Sequence, residues 1–262
     1  MQYLQSLIWL EEPEPDNPFA ARASYCHGYD VYGEMIGRAS WADMIHLLFK
    51  GEAPSPSARA ALDILAVALA NPGPREPSVH AAMCGGVGGS VAAASLMAAL
   101  AVGAGSLGGA REVALAMEAW RACGKDLQAW RARWDSPPPE AASVWSSAAH
   151  PVGFDPHGVS TSTPVRQTLA RLSALDASSR SAWLLGHLPE IEKAAGHPLA
   201  LTGVAAAALG DLGFSPEAGE MLYLLLRLPG AAAHALEQGG FGHKRFPWYE
   251  IELEETRERQ AG

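Results

Sequence analysis

Charged side chains are scarce in this sequence of 262 residues, since Asp, Glu, Lys and Arg make up 18% of it, whereas an average soluble domain has about 25%. Apolar residues account for 48% of the chain, which is enough for a hydrophobic core and excludes a disordered or fibrous protein. The length suits one large domain or two small ones. The low charge predicts that part of the surface is covered by another subunit or built from Ala and Gly.

Clusters of basic residues are also lacking, because 19 Lys and Arg stand against 28 Asp and Glu and the formal net charge is -9. A nucleic acid or an anionic membrane surface would require clustered Lys and Arg, so we expect neither as a partner. The N-terminus has no basic region, and Glu11 and Glu12 interrupt its apolar stretch. We therefore expect no signal peptide and a cytoplasmic protein.

Cysteine is rare as well. Cys26, Cys84 and Cys123 lie far apart with no Cys-x-x-Cys spacing, which favours reduced, buried thiols over disulfides or a zinc site. The histidines show no metal-ligand spacing either, so the sequence predicts no metal.

Patterns typical of β-strands are nearly absent, whereas helical spacing of apolar residues is frequent. The sequence therefore predicts an all-α protein. The predicted helices span residues 40–49, 57–69, 111–134, 163–175, 181–195, 203–212 and 216–228.

No charged residue occurs between His80 and Arg111, a run that is long enough by count to cross a bilayer. Its residues are mostly Ala, Gly and Ser, which provide little transfer free energy but let helices approach closely. We expect a pair of buried helices here, in the core or at a subunit contact, rather than a membrane span.

A long polar segment, residues 146–164, is rich in Ser, Thr, His, Gly and Pro. It predicts a loop between two helical regions, and it contains His150 and His157. Loops of this length in compact domains often have a function.

Several short motifs follow one another along the chain. They are His27-Gly28-Tyr29-Asp30, Gly51-Glu52-Ala53-Pro54, Gly108-Gly109-Ala110, Gly153-Phe154, Asp211-Leu212-Gly213-Phe214, and Gly230 with His234 after Arg227. Their order and spacing resemble the citrate synthase family over most of the chain. The short length resembles the citryl-CoA lyase-like branch of that family more than full-length citrate synthase.

This resemblance implies a helical dimer in which each subunit has a large domain, a small domain and a cleft between them. Residues 1–110 and 204–262 would form the large domain, and residues 111–203 the small domain with the cleft loop. The cleft would bind a small carboxylate and an acyl-CoA, with the CoA thioester as substrate and no further cofactor. In the family, an aspartate removes a proton beside the thioester, one histidine donates a hydrogen bond to the enolate oxygen, and a second histidine polarises the keto group.

Two of these three catalytic positions are altered in this sequence. Leu107 stands where the family has the enolate-binding histidine, and Thr202 stands at the aspartate position. The resemblance places the second histidine at His157. Loss of a positioned base typically slows a reaction roughly 10²–10⁴-fold, and loss of an oxyanion donor roughly 10²–10³-fold. Ordinary citrate synthesis by these groups is therefore expected to be severely impaired.

The substrate-binding positions of the family are better matched. Arg166 lies nine residues after His157, and Arg227 precedes the glycine–histidine motif, as two carboxylate-binding arginines of the family do. Arg245 corresponds to an arginine that reaches the neighbouring subunit's cleft, and His80 corresponds to a substrate-contacting position or to a structural donor at a helix start. Arginine suits carboxylates because its planar guanidinium binds them in a bidentate manner and keeps its charge.

Three functional hypotheses follow. The leading one is a family member that cleaves or forms a carbon–carbon bond in a carboxylated acyl-CoA, like a citryl-CoA lyase, with an altered catalytic set. The second is a non-catalytic subunit that pairs with an active paralogue or binds a metabolite. The third is a different reaction in which His157 is the only acid or base. The Ala- and Gly-rich helices predict a homodimer, or a heteromer with a paralogue.

Overall fold

A computed structural model describes residues 6–135 and 150–248. Helices dominate, which confirms the predicted all-α class. The helices are α1 (Trp41–Lys50), α2 (Pro56–Ala70), α3 (Pro77–Val87), α4 (Ala92–Gly103), α5 (Ala110–Cys123), α6 (Leu127–Asp135), α7 (Thr163–Ser173), α8 (Arg180–Gly186), α9 (Leu188–Ala195), α10 (Leu201–Asp211) and α11 (Pro216–Phe241). A π-helical turn spans Val31–Met35, and a 3₁₀ turn spans His243–Arg245.

A small antiparallel sheet at the N-terminus was missed by the sequence analysis. Its strands are β1 (Trp9–Pro13), β2 (Ala21–Cys26) and β3 (Tyr29–Asp30), in the order β1-β2-β3. Only the end of β2 alternates between buried and half-buried residues, and β1 is largely exposed. The period-2 pattern is therefore too short to be recognised in the sequence.

Local hydrogen bonds explain where α1 begins and ends. The Ser40 hydroxyl accepts the Asp43 backbone N–H at 3.2 Å, and the Asp43 carboxylate accepts the Ser40 backbone N–H at 2.7 Å. This capping box satisfies two donors that the first turn leaves unpaired. The helix ends at Gly51, which has the left-handed conformation (φ 77°) that glycine adopts without strain.

Three of the predicted helices differ from the helices of the structure by more than two residues. The predicted helix 111–134 is divided after Cys123, where Gly124 ends α5. The predicted helix 181–195 is divided at His187, because Pro189 lies in the first turn of α9, where proline is tolerated. Helix α11 continues through Pro229 to Phe241, well past its predicted end.

Two hydrophobic clusters form the core. The larger one contains Leu65 of α2, Val113 of α5, Leu169 of α7 and Val204 of α10, so it includes side chains from both predicted domains. The smaller cluster consists of Val79, Ala82, Met83, Ala99, Ala231, Ala235 and Phe246. Helix α11 contributes to both clusters and connects them.

The small-residue segment forms a helix pair as predicted, since α3 and α4 pack against each other and against α11. Helix α4 buries Ser95, Ala99 and Gly103, but Met97 and Val102 on it are 62% and 47% exposed. Only one face of α4 is therefore buried within the chain. In the part of the chain that the structure describes, no helix combines the length and the apolar character needed to span a membrane.

All three cysteines are free thiols. Cys26 and Cys123 are buried as predicted, and burial raises the pKa of each thiol. Cys84 is exposed on α3, so the prediction that all three are buried was wrong for this residue.

Candidate functional site

A buried carboxylate joins two of the motifs on which the family resemblance rests. Glu112, the third residue of α5, is only 1% exposed. Its Oε2 accepts the Gly108 backbone N–H at 2.5 Å, and its Oε1 accepts the Gly153 backbone N–H at 2.7 Å. Glu112 therefore connects the turn before α5 to the loop of residues 150–162. The sequence analysis did not identify this residue.

Opposing effects act on the pKa of Glu112. Burial raises this pKa most strongly, and the N–H groups of Gly153 and Gly108 lower it, but the net pKa is raised. Thr202 is also buried and is another group that lowers the pKa of Glu112. Its hydroxyl makes no hydrogen bond of ordinary geometry with any described group. Thr202, which the resemblance assigns to the aspartate position, therefore lies beside a carboxyl group from another helix.

A buried histidine lies next to this carboxylate. The Nε2 atom of His150 is 3.9 Å from Oε1 of Glu112. Burial lowers the pKa of His150, and the nearby His197, whose ring centroid is 6.0 Å away, lowers it further. Because the ordinary histidine pKa is about 6.5, His150 is neutral at neutral pH.

The loop of residues 150–162 pairs with the segment before α10. The Asp155 N–H donates to the Pro198 carbonyl at 2.8 Å, and the Ala200 N–H donates to the Gly153 carbonyl at 3.0 Å. Gly153 has a φ of 88°, and a Cβ on it would lie 2.9 Å from Cα of Gly203. Glycine is needed at this point because the two backbones touch.

The predicted residues of the loop and its surroundings have mixed positions. His157 is exposed, and its backbone N–H donates to Oδ1 of Asp155 at 2.9 Å. Arg166 is exposed in the first part of α7. Leu107 is 65% exposed in the turn before α5. Through Glu112, the structure thus brings together the Leu107 turn, the loop that carries His157, and Thr202.

Arg227 reaches the same turn from α11. Its Nη1 donates to the Gly108 carbonyl at 3.2 Å, and its guanidinium lies over the Tyr223 ring, 4.9 Å from the centroid. The side chain is 6% exposed and forms an ion pair with Glu76. Burial raises the pKa of Tyr223 to about 12. Arg227 therefore contacts the turn that contains Gly108, and its charge is paired with a residue of the chain itself.

The remaining two predicted residues are Arg245, which follows α11, and His80, which packs against the segment after α11. Arg245 is exposed in the 3₁₀ turn, with its guanidinium carbon 5.7 Å from the centroid of the Phe241 ring. His80 is half-buried on α3, and its ring centroid is 5.3 Å from that of Phe246. His80 therefore lies against the residue that follows Arg245.

Aromatic side chains of α5 and α6 pack against the loop of residues 150–162. Phe154 contacts Trp134 at a centroid distance of 5.4 Å, and Trp130 lies between Trp134 and Trp120 at 5.4 and 5.0 Å. These edge-to-face and tilted ring contacts form an apolar surface next to Gly153.

Metal-ligating side chains are dispersed. Within residues 6–135 and 150–248, no three His, Cys, Asp or Glu side chains are grouped closely enough to hold a metal ion.

The chemical groups at the site are a buried carboxylate, a neutral buried histidine, an exposed histidine and a neutralised arginine. Residues 198–203 contain no carboxylate, and Glu112 is enclosed. In the loop, His157 is an exposed acid or base, and the carboxylate of Asp155 is half-buried.

Comparison with solved structures identifies the fold. The chain is similar to citryl-CoA lyase from Hydrogenobacter thermophilus with a TM-score of 0.73 and 17% identity, over 100% of this chain and 98% of that one. It is also similar to ATP citrate lyase from Methanothrix soehngenii in complex with citrate and coenzyme A, with a TM-score of 0.69 and 17% identity, over 93% of this chain and 42% of the larger one.

A third similar structure is an aspartate-to-alanine variant of ATP citrate lyase from Methanosaeta concilii in complex with (3S)-citryl-CoA. It has a TM-score of 0.69 and 17% identity, over 92% of this chain and 41% of that one. No family model matches the sequence, and comparison with curated proteins gives no significant match. The predicted citrate synthase-like fold is thus confirmed by structure, and the fold is that of citryl-CoA lyase.

Proposed function

We propose that this chain binds a carboxylated acyl-CoA in the cytoplasm and cleaves or forms a carbon–carbon bond in it, in the manner of a citryl-CoA lyase but with an altered set of catalytic groups. The observation that carries this proposal is the position of Glu112. By accepting N–H groups from Gly108 and Gly153, it assembles segments that are distant in sequence into one site. The citrate and citryl-CoA held by the similar structures support the choice of ligand.

The available groups limit the chemistry in this proposal. Leu107 offers no hydrogen-bond donor from its side chain, and the hydroxyl of Thr202 is not a base near neutral pH. His157 is exposed on the loop and can exchange a proton with a ligand. Arg166 is exposed on α7 and is available to pair with a ligand carboxylate.

A non-catalytic role is the second candidate, and the ion pair between Arg227 and Glu76 favours it. An arginine that is neutralised within the chain contributes less to binding a charged substrate. The similar structure in which one aspartate is replaced by alanine holds (3S)-citryl-CoA, which supports the binding of such a ligand without that aspartate. In this role the chain binds an acyl-CoA without turning it over, and it pairs with an active paralogue.

Thioester depletion and calorimetry with the purified protein separate these candidates. Turnover of citryl-CoA or another carboxy-acyl-CoA by the isolated protein is expected if the chain is an enzyme. Binding of the same thioester without turnover, together with a paralogue that co-purifies from the native host, is expected for the non-catalytic role. Absence of binding to every carboxy-acyl-CoA tested contradicts both.

Pairing of two copies through α4 is part of the proposal. Ala93, Met97 and Ala101 are four residues apart and form an exposed strip on the outer face of this helix, and the small residues in it permit close helix approach. Met97→Glu is expected to shift the protein from dimer to monomer in light scattering, because it places a charge in an apolar contact. The matched control is Val67→Glu on α2, which is 81% exposed and lies outside this strip. A dimer that withstands Met97→Glu contradicts this interface.

A further inference from the structure

The partner of Arg227 lies far away in the sequence. Glu76, just before α3, forms an ion pair with the Arg227 guanidinium, and the two side chains are 18% and 6% exposed. A buried guanidinium requires an anion beside it, because an unpaired charge in the protein interior is strongly unfavourable. In this chain Glu76 supplies that anion.

Backbone hydrogen bonds hold Glu76 in position. Its Oε2 accepts the N–H groups of Ser78 at 2.9 Å and Val79 at 3.1 Å, and it also accepts the Ser78 hydroxyl. Glu76 thereby acts as the N-cap of α3, where the helix dipole favours a negative charge. Its other oxygen, Oε1, faces Arg227. One carboxylate thus caps a helix and occupies an arginine at the same time.

The Arg227 side chain is enclosed, since it is 6% exposed. A void of about 10 Å³ borders it, lined also by Ser78, Gly103 and Leu224. Such a void is at the lower limit for one water molecule, which needs about 10–15 Å³, so it does not hold a carboxylate. A ligand carboxylate would therefore reach Arg227 by taking the place of Glu76.

We propose that Glu76 is a specificity-determining residue which takes the place of a ligand carboxylate at Arg227. This inference rests on the proposed function and on the family resemblance, which assigns Arg227 to a ligand carboxylate. Citryl-CoA carries two free carboxylates. The preferred ligand of this chain carries one free carboxylate and has a neutral group, such as a hydroxyl or an alkyl group, on the side that faces Arg227 and Glu76.

Two variants of Glu76 test the inference by calorimetric titration with citrate. Glu76→Ser keeps a good N-cap for α3 but is too short to reach Arg227. Glu76→Gln keeps an oxygen acceptor for the cap and removes the charge. Glu76→Ser is expected to bind citrate at least about tenfold more tightly than the native protein, which corresponds to about 1.4 kcal/mol. Glu76→Gln is expected to show a smaller gain, because its amide still fills the space beside Arg227. The affinity for 3-hydroxybutyrate, a monocarboxylate, is expected to change much less.

Two further variants show where a gain originates. Glu76→Ser combined with Arg227→Met is expected to lose the gain, because the freed guanidinium is absent. Glu237→Gln removes an exposed glutamate of α11 and the same unit of charge, and is expected to show no gain. Unchanged citrate affinity in folded Glu76→Ser and Glu76→Gln overturns the inference, and so does a gain that persists without Arg227.

The outcome is distinguishable from failure of the proposed function. If the native chain binds no acyl-CoA thioester but the Glu76 variants gain citrate affinity that depends on Arg227, the proposed function fails and the role of Glu76 at Arg227 is retained. If the native chain binds citryl-CoA at least as tightly as a monocarboxylic acyl-CoA, the proposed function survives and the inference fails.

Discussion

Replacement of His157 by Ala is expected to slow turnover of a carboxy-acyl-CoA roughly 10²–10⁴-fold, the usual effect of removing a general acid or base. His157 is exposed on the loop, whereas Asp155 of the same loop is half-buried, and neither Leu107 nor Thr202 can replace His157 in proton transfer. The rate of thioester depletion under saturating substrate measures the effect. Binding of the thioester, followed by calorimetry, is expected to change little.

Ser160→Ala is the matched control, since Ser160 is an exposed side chain of the same loop. Its turnover is expected to stay near that of the native protein. Equal rates for His157→Ala and the native protein would exclude His157 as the proton-transfer group. Turnover would then have to use a group that the proposed function does not assign.

Glu112→Ala is expected to reduce the free energy of unfolding by roughly 1–3 kcal/mol or more, because it leaves the buried N–H group of Gly153 without an acceptor, which costs about 1–3 kcal/mol, and removes a second, part-buried hydrogen bond from Gly108. Urea denaturation measures the loss. Glu118→Ala is the control, because Glu118 is an exposed residue of the same helix, α5, and surface substitutions usually change stability by less than about 0.5 kcal/mol. Similar losses in the two variants would show that Glu112 does not brace the loop.

Glu112→Gln removes the ionisable group but keeps an oxygen acceptor, so the pH dependence of its free energy of unfolding reports the effect of the Glu112 charge. Because the pKa of Glu112 is raised in the folded state, the folded protein retains a proton in a window above the ordinary glutamate pKa of about 4.3, where the unfolded chain has lost it. Stability from this group is therefore present below that window and is lost as pH rises through it. The stability difference between the native protein and Glu112→Gln is expected to fall over the same range.

His150 changes the stability in the opposite direction. Its pKa is lowered by burial, so the unfolded chain takes up a proton first as the pH falls below about 6.5, and stability decreases there. Because Nε2 of His150 lies 3.9 Å from Oε1 of Glu112, Glu112→Gln also changes this contribution, so the stability difference reports on the two groups as a pair. A difference that does not vary with pH would show that Glu112 titrates normally.

Helical periodicity was sufficient to predict most helices and the overall class. Capping residues such as Ser40 and turn glycines such as Gly51 are local signals, and they mark helix ends that the structure confirms. The sheet was missed because β1 is exposed and contains acidic residues and a proline, so it lacks the alternation of a half-buried strand. Helix α11 was predicted too short because Pro229 usually ends a helix.

The site was harder to predict because its contacts join residues that are distant in sequence. A glutamate at the third position of a helix is typical of capping, and this was the one available signal for Glu112. Its burial depends on Gly153, 41 residues away. The resemblance assigns Arg227 to a ligand carboxylate, but it does not predict the ion pair with Glu76. This ion pair connects α11 to the start of α3, and no periodic pattern in the sequence predicts such a contact.

Helix α11 has a mechanical consequence for this arrangement. Leu226 packs in the larger core cluster and Ala231 in the smaller one, with Arg227 and Pro229 between them. Proline leaves one carbonyl of the preceding turn without its usual helical hydrogen bond, so bending is easiest at this point. A rotation of one cluster against the other would therefore bend α11 near Arg227, and a ligand that displaces Glu76 would act next to this bend.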